Sequence, residues 1–199
     1  MSSMWDERYA EAGFAYGTEA NDFLVEVAGA IPPGPVVCLA EGEGRNAVFL
    51  AARGHQVLAI DQSVVGLEKA RRLAAERGVS IETQAMDLAD FQVEANSYAG
   101  IVSIWAHMPP NVRKVVHERC VRALGPGGVM ILEAYTPAQV GRGTGGPPDP
   151  AFCMSADRLR EELRGLDFDV LLERERHVAE GKYHHGSSLV VQMLARKPL

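Results

Sequence analysis

The chain has 199 residues, enough for one domain with a full-sized core, and its 47% apolar and 23% charged residues are ordinary for a globular protein. A formal net charge of -6 argues against a nucleic-acid partner, because binding a phosphate backbone needs a basic face. No apolar run approaches a membrane span, the first ten residues lack a secretory pattern, and Cys38, Cys120 and Cys153 form neither a metal spacing nor a disulfide framework, so a cytoplasmic protein is expected.

No internal repeat is visible. Residues 3–12 and 18–30 read as amphipathic helices joined by "GFAYG", and "IPPGP" stops the second. "VVCLA" (36–40) is a short apolar strand, and "GRNAVFLAARG" (44–54) a helix closed by Gly54. "QVLAID" (56–61) is the second strand, followed by a helix with Ser63 as N-cap and Gly78 as stop. Residues 80–87 and 98–106 are the third and fourth strands. A proline-opened helix covers 109–124, and "GGVMILEAY" (127–135) is the fifth strand. Residues 136–154 are rich in Gly and Pro and predict an irregular segment, either a functional lid or a tolerated insertion. A short helix follows at 155–165. Two strand-like runs, 168–181 and 187–197, are separated by the turn "KYHHG" and read as an antiparallel hairpin. Alternating short strands and helices imply βαβ units. The expected fold is α/β: a Rossmann-like, doubly wound, mostly parallel seven-stranded sheet ending in an antiparallel hairpin. One domain is expected over 1–199, with 1–30 as a helical cap and 136–155 on the substrate side.

Gly42-Glu43-Gly44-Arg45-Asn46-Ala47 fits the G-x-G-x-x-G/A pattern between a strand and a helix. Asp61 ends the next strand, where an acid can accept hydrogen bonds from both hydroxyls of an adenosine ribose. An adenosine ligand is therefore expected. The loop also carries Glu41 and Glu43. A pyrophosphate would be repelled by them, with Arg45 only partly compensating, whereas the net positive S-adenosylmethionine suits an acidic loop. The alternative is that both glutamates point to solvent.

With these residues in view, the chain resembles the class I S-adenosylmethionine-dependent methyltransferases over nearly its whole length. The family pattern V-L-D-L-G-C-G-E-G-R-N-A stands here as Val36 to Ala47, with Cys38 in place of the usual acid and Ala40 in place of the first glycine. Asp61 matches the ribose-binding acid, Asp87-Leu88 the position at the adenine amino group, and "IVSIWAHMPP" the loop beneath the methyl. "WDERYAEAGFAYG" and "EGKYHHG" are similar to stretches of the small-molecule branch near the tellurite-resistance and thiopurine enzymes. The resemblance implies the strand order three-two-one-four-five-seven-six. It also implies an N-terminal segment over the cofactor, placing Trp5, Arg8, Tyr9 or Tyr16 near it. The implied acceptor is a thiol, a chalcogen oxyanion or another soft nucleophile.

The cofactor candidates are Arg8, Tyr16, Ala40, Glu41, Gly42, Gly44, Asn46, Asp61, Gln62, Asp87, Leu88, Trp105 and Ala106. His107, beyond the fourth strand, and His184 in the last turn are the candidate proton acceptors. Tyr135, Arg142 and His185 are the candidate acceptor contacts. Each also has a plainer reading: a core tryptophan, turn histidines, a solvated loop arginine, a half-buried strand tyrosine. No metal site is marked. The expected function is methyl transfer to a small molecule by in-line displacement, in a monomer or homodimer without nucleic-acid or membrane partners. The alternatives are a non-catalytic S-adenosylmethionine binder and an NAD-linked oxidoreductase.

Overall fold

A computed structural model describes residues 4–199. Seven strands form one sheet in the order β3-β2-β1-β4-β5-β7-β6, as expected. They are β1 (Pro35–Leu39), β2 (Gln56–Asp61), β3 (Glu82–Ala85), β4 (Tyr98–Ile104), β5 (Leu124–Tyr135), β6 (Asp167–Glu180) and β7 (His184–Arg196). The first five run parallel to one another, and β7 pairs antiparallel with both β5 and β6.

The apolar runs of the central strands are buried on both faces. Val37 and Leu39 of β1 face one core, with Val116 and Cys120 of α5 (Pro110–Ala123) and Leu159 of α6 (Ala156–Glu162). Val36 and Cys38 face the other. That second core holds Phe23 and Leu24 of α2 (Asp22–Val27), Leu50 of α3 (Arg45–Ala52) and Leu67 of α4 (Val64–Glu76). This side-to-side alternation in a strand apolar throughout is what a doubly covered sheet requires.

Several boundaries differ from expectation. Among the described residues the first helix, α1, covers Met4–Tyr9 and stops short of Ala12, and α2 begins at Asp22 because the Asn21 side chain caps it, accepting from Leu24 N at 3.0 Å. Ser3, expected in the first helix, lies outside the described residues. Residues 10–20 run as an irregular strap. The third strand shrinks to four residues at the sheet edge, with little buried surface to extend it. The last turn is Gly181–Tyr183, so His184 and His185 open β7 instead of sitting in the turn. A three-residue connection with Gly181 at φ 65 suits a hairpin.

Strand order reverses between β1 and β4, which opens a crevice at their carboxyl ends. β5 ends at Tyr135, paired with Val190, and the β6–β7 hairpin continues six residues past it to His184. The hairpin tip therefore overhangs that same crevice.

Candidate active site

The glycine loop folds around its own carboxylates. Ala40 (φ 50), Gly42 (φ 60) and Gly44 (φ 91) all take left-handed backbone. Ala40 therefore occupies a conformation that favours glycine. Gly44 must lack a side chain, since a Cβ would lie 2.5 Å from that of Ala70. A Cβ on Gly42 would lie 2.5 Å from Tyr9 Oη, because α1 packs its buried tyrosine onto the loop.

Both loop glutamates are buried, so neither points to solvent. Glu41 Oε1 accepts from Asn46 N and Ala47 N, both at 2.8 Å, and so caps α3 from three residues upstream of its N-cap. Burial is the main force on its pKa, which stands at about 7 despite those bonds. Glu43 accepts from Ala15 N at 2.7 Å and pairs with Lys69 at 2.9 Å, which ties the strap to the loop. The acidity of the loop is thus structural, which corrects the charge argument drawn from sequence. The same geometry nevertheless argues against a pyrophosphate. Arg45, the loop's one basic residue, is taken by Glu180 at 2.5 Å.

Asp61 sits at the carboxyl end of β2, accepting from Gly42 N and Ser63 N at 2.8 Å each. The Gln62 backbone N–H also donates to this carboxylate. Burial raises its pKa, partly offset by these three bonds. Gln62 is exposed beside it, and Asp87, also exposed, caps the turn at Leu88–Asp90 through Ala89 N.

Beyond β4 the chain turns sharply. Trp105 has φ 58, a strained value for a tryptophan, and such strain clusters at functional sites. Its ring stacks on Tyr135 (centroids 4.4 Å apart) and meets His184 edge-on at 5.0 Å. Tyr16 of the strap closes the group at 4.7 Å from His184. Arg8 donates to Tyr16 Oη at 2.9 Å and lies over the Tyr183 ring at 4.5 Å. In this aromatic box His184 Nδ1 is buried without a partner, and Tyr135 Oη is buried with the Ser188 hydroxyl in reach. The nearby Ser188 hydroxyl is already engaged with Thr144 Oγ1 and Gly186 O. Ala106 lies buried behind the box.

The site brings together Arg8, Tyr16, Trp105, Tyr135 and His184, with the His107 ring stacked against Trp105 and Tyr135, and leaves Arg142 and His185 outside. His107 has both ring nitrogens engaged with backbone. Nδ1 lies 3.0 Å from Trp105 O, and Nε2 accepts from Tyr135 N at 3.0 Å. Burial lowers its pKa to about 4. It pins the β4 loop to the end of β5 and has no lone pair left for a base, which corrects that expectation. Arg142 lies at the surface, paired with Glu175 at 2.9 Å. His185 points away from His184, as strand alternation demands, and meets His177 on the exposed side.

Sequence reasoning missed a buried charged cluster behind the box. Glu180 Oε2 accepts from Arg45 Nη2 and Trp105 Nε1, both at 2.5 Å. Its Oε1 accepts from Asn21 Nδ2 at 2.8 Å and Arg176 Nη2 at 3.1 Å. Glu133 Oε1 accepts from Gln192 Nε2 and Arg176 Nε, and its Oε2 from Asn21 Nδ2 and Arg176 Nη2. Burial alone would raise the Glu180 pKa, but Arg45, Trp105 and Arg176 bring it below the ordinary value. Two carboxylates thus meet two guanidiniums, and Glu180 holds the strained tryptophan, the glycine-loop helix and the α2 N-cap together. A signal existed: Glu133 is the lone acid in an otherwise apolar strand.

The fold is shared with solved structures of methyltransferases. Residues 36–128 are similar to the methyltransferase domain family. Over 111 residues it is 29% identical to a 2-heptyl-1-hydroxyquinolin-4(1H)-one methyltransferase of Mycobacteroides abscessus, covering 54% of this chain and 46% of that protein. The matched stretch is therefore less than half of that relative's length. N-methyltransferase NodS from Bradyrhizobium japonicum WM9, solved with S-adenosyl-L-homocysteine, superposes at a TM-score of 0.72 with 14% identity, over 98% of this chain and 97% of that one. TehB from Haemophilus influenzae superposes at 0.70 with 22% identity, over 89% and 62%. Among the described residues no group of His, Cys, Asp and Glu is arranged to hold a metal, and no helix is long and apolar enough to cross a membrane.

Proposed function

We propose that this chain binds S-adenosylmethionine at the carboxyl ends of β1, β2 and β4 and transfers its methyl group to a small-molecule acceptor with a soft nucleophilic atom. The observation that carries the reading is the aromatic box at the end of β4, with the buried, unpartnered His184 Nδ1, beside a glycine loop and Asp61. S-adenosylmethionine supplies an electrophilic methyl on a sulfonium.

The residues present fit that cofactor. Asp61 accepts from three backbone N–H groups and keeps acceptor capacity for a ribose hydroxyl. No cation is free in the glycine loop to hold a pyrophosphate, which disfavours NAD. Arg8 of α1 and Tyr16 of the strap stand over the box, and Leu88 and Ala106 offer apolar contact. The strap is fastened on both sides, by Glu43 to Ala15 N and by Lys182 N to Ala15 O at 2.8 Å, so it excludes water from the crevice. The chain's contribution is then mostly alignment: Trp105 and Tyr135 form a rigid wall against which the acceptor lies in line with the methyl.

Calorimetric titration with S-adenosylhomocysteine, with NADH as control, tests the reading. Micromolar binding of the first alone is expected. Binding of NADH alone, or of neither, refutes it. A screen of acceptors with labelled methyl then separates an enzyme from a non-catalytic binder.

A further inference from the structure

We propose that the outer side of the 136–155 segment holds a second binding site, which takes a small carboxylate carried on an apolar ring. The site lies outside the crevice and does not depend on the methyl-transfer reading.

The two ends of the Gly- and Pro-rich segment, together with α5 and α6, line an open cavity of about 580 Å³, a size that suits a small organic molecule. Its floor is built from a buried charge. Arg113 of α5 donates from Nε and Nη2 to Glu162 of α6, and from Nη1 to Ala151 O at 3.1 Å and Cys153 O at 3.4 Å. His117 Nδ1 stands 2.8 Å from the same carboxylate. The charge of Glu162 is therefore met from inside the protein. Two further cations line the cavity, Lys114 from α5 and Arg158 from α6. Both are exposed, and neither has an ion-pair or side-chain hydrogen-bond partner among the described residues. In a chain of net charge -6 they form an uncompensated positive pair in a concave place, where the surrounding protein concentrates their field.

The rest of the wall is apolar. Pro110, Pro137 and Pro150 all line the cavity and are all exposed. A proline ring has no rotamer freedom to lose when it is covered, so this wall is ready for a flat apolar body. Arg158 offers a planar fork that fits a carboxylate edge, and Lys114 a point charge beside it. A bare phosphate would meet the cations and leave the prolines uncovered. A neutral ring would cover the prolines and leave the cations unmatched. A carboxylate on a ring satisfies both.

The cavity is divided from the aromatic box by the end of the segment. Cys153, whose carbonyl accepts from Arg113, packs its side chain against Tyr135, and Met154 N donates to Tyr135 O at 2.9 Å.

Calorimetric titration with benzoate tests the site, with benzamide, acetate and inorganic phosphate as comparisons. Benzoate should bind, and benzamide and acetate should each bind about tenfold more weakly, since each lacks one half of the match. Lys114→Gln and Arg158→Gln should each weaken benzoate about fivefold, and together about twentyfold, as for exposed charge pairs. Both side chains are exposed, so these variants should melt with wild type. Tyr16→Phe, altered in the crevice, should bind benzoate as wild type does. Absence of benzoate binding would overturn the proposal. So would benzamide, acetate or phosphate binding as tightly as benzoate, or an unchanged affinity in the double variant. Loss of binding in Tyr16→Phe would place benzoate in the crevice and overturn it as well.

Discussion

Replacing Glu41 by Gln isolates the effect of a buried charge. The amide keeps an acceptor oxygen for Asn46 N and Ala47 N, so the cap on α3 survives. What is lost is the ionisation. Glu41 has a folded pKa of about 7 against an ordinary 4.5. A carboxyl whose pKa is raised on folding opposes the folded state wherever the unfolded chain ionises and the folded one does not. The penalty is absent below 4.5, grows between 4.5 and 7, and is complete above 7. At about 1.36 kcal/mol per unit it amounts to about 3 kcal/mol. Urea unfolding at pH 5 and pH 8 measures it. E41Q should exceed wild type by about 3 kcal/mol at pH 8, and the two should nearly converge at pH 5. In thermal melts at pH 8 the gain corresponds to roughly 6–12 °C. Parallel stability curves for the two proteins across this range, or a variant weaker at every pH, would refute the reasoning. The second outcome would mean that the carboxylate is favoured by the α3 N-terminus more than it is opposed by burial.

Three further outcomes follow from individual contacts. Arg176→Met strips donors from both Glu133 and Glu180, and chemical denaturation should show a loss of about 3–5 kcal/mol, the usual cost of orphaning one side of a buried pair. Ala40→Gly relieves a left-handed alanine, worth about 1–2 kcal/mol, against about 0.5–1 kcal/mol of added chain entropy, so a net gain of up to about 1 kcal/mol in thermal melts is expected. Burial would raise the Glu162 carboxyl, but hydrogen bonds from His117 and Arg113 hold it at about 2. Its contribution is therefore full above 4.5 and lost as pH falls toward 2. E162Q should remove about 2 kcal/mol of acid-dependent stability, a figure reduced from the full shift because the carboxylate is partly exposed.

Elements were legible in the sequence wherever one residue type acts through its neighbours in the chain. Ser63 caps α4 through Gly66 N, three residues on, and the hairpin runs announced themselves by composition. The strand order came from resemblance, since no local signal says that β7 inserts between β5 and β6. Legibility failed where function depends on register across the sheet. Glu180 lies opposite His184, and Glu133 pairs with Gln192. Only those registers bring the two glutamates onto Arg176 and Asn21. His107 shows the same limit from the other side. A histidine just past a strand end has the chemistry of a base, and spacing alone cannot reveal that the backbone at Trp105 and Tyr135 has already claimed both its nitrogens.

The glycine loop makes the relation between charge and ligand more general. Read along the chain, Glu41 and Glu43 are two charges presented to a ligand. In three dimensions each is an acceptor for backbone N–H groups that the fold would otherwise leave unsatisfied: two at the start of α3, one on the strap. Cys38 stands where the family pattern has an acid, and its thiol lies against the carboxyl of Glu41. The carboxylate missing from the strand is thus supplied from the loop, three residues later, in contact with the same position. A departure from a motif at one residue is best judged by which nearby side chain has moved into the space. Here that side chain carries the same chemical group, so Cys38 by itself is no evidence of a damaged site.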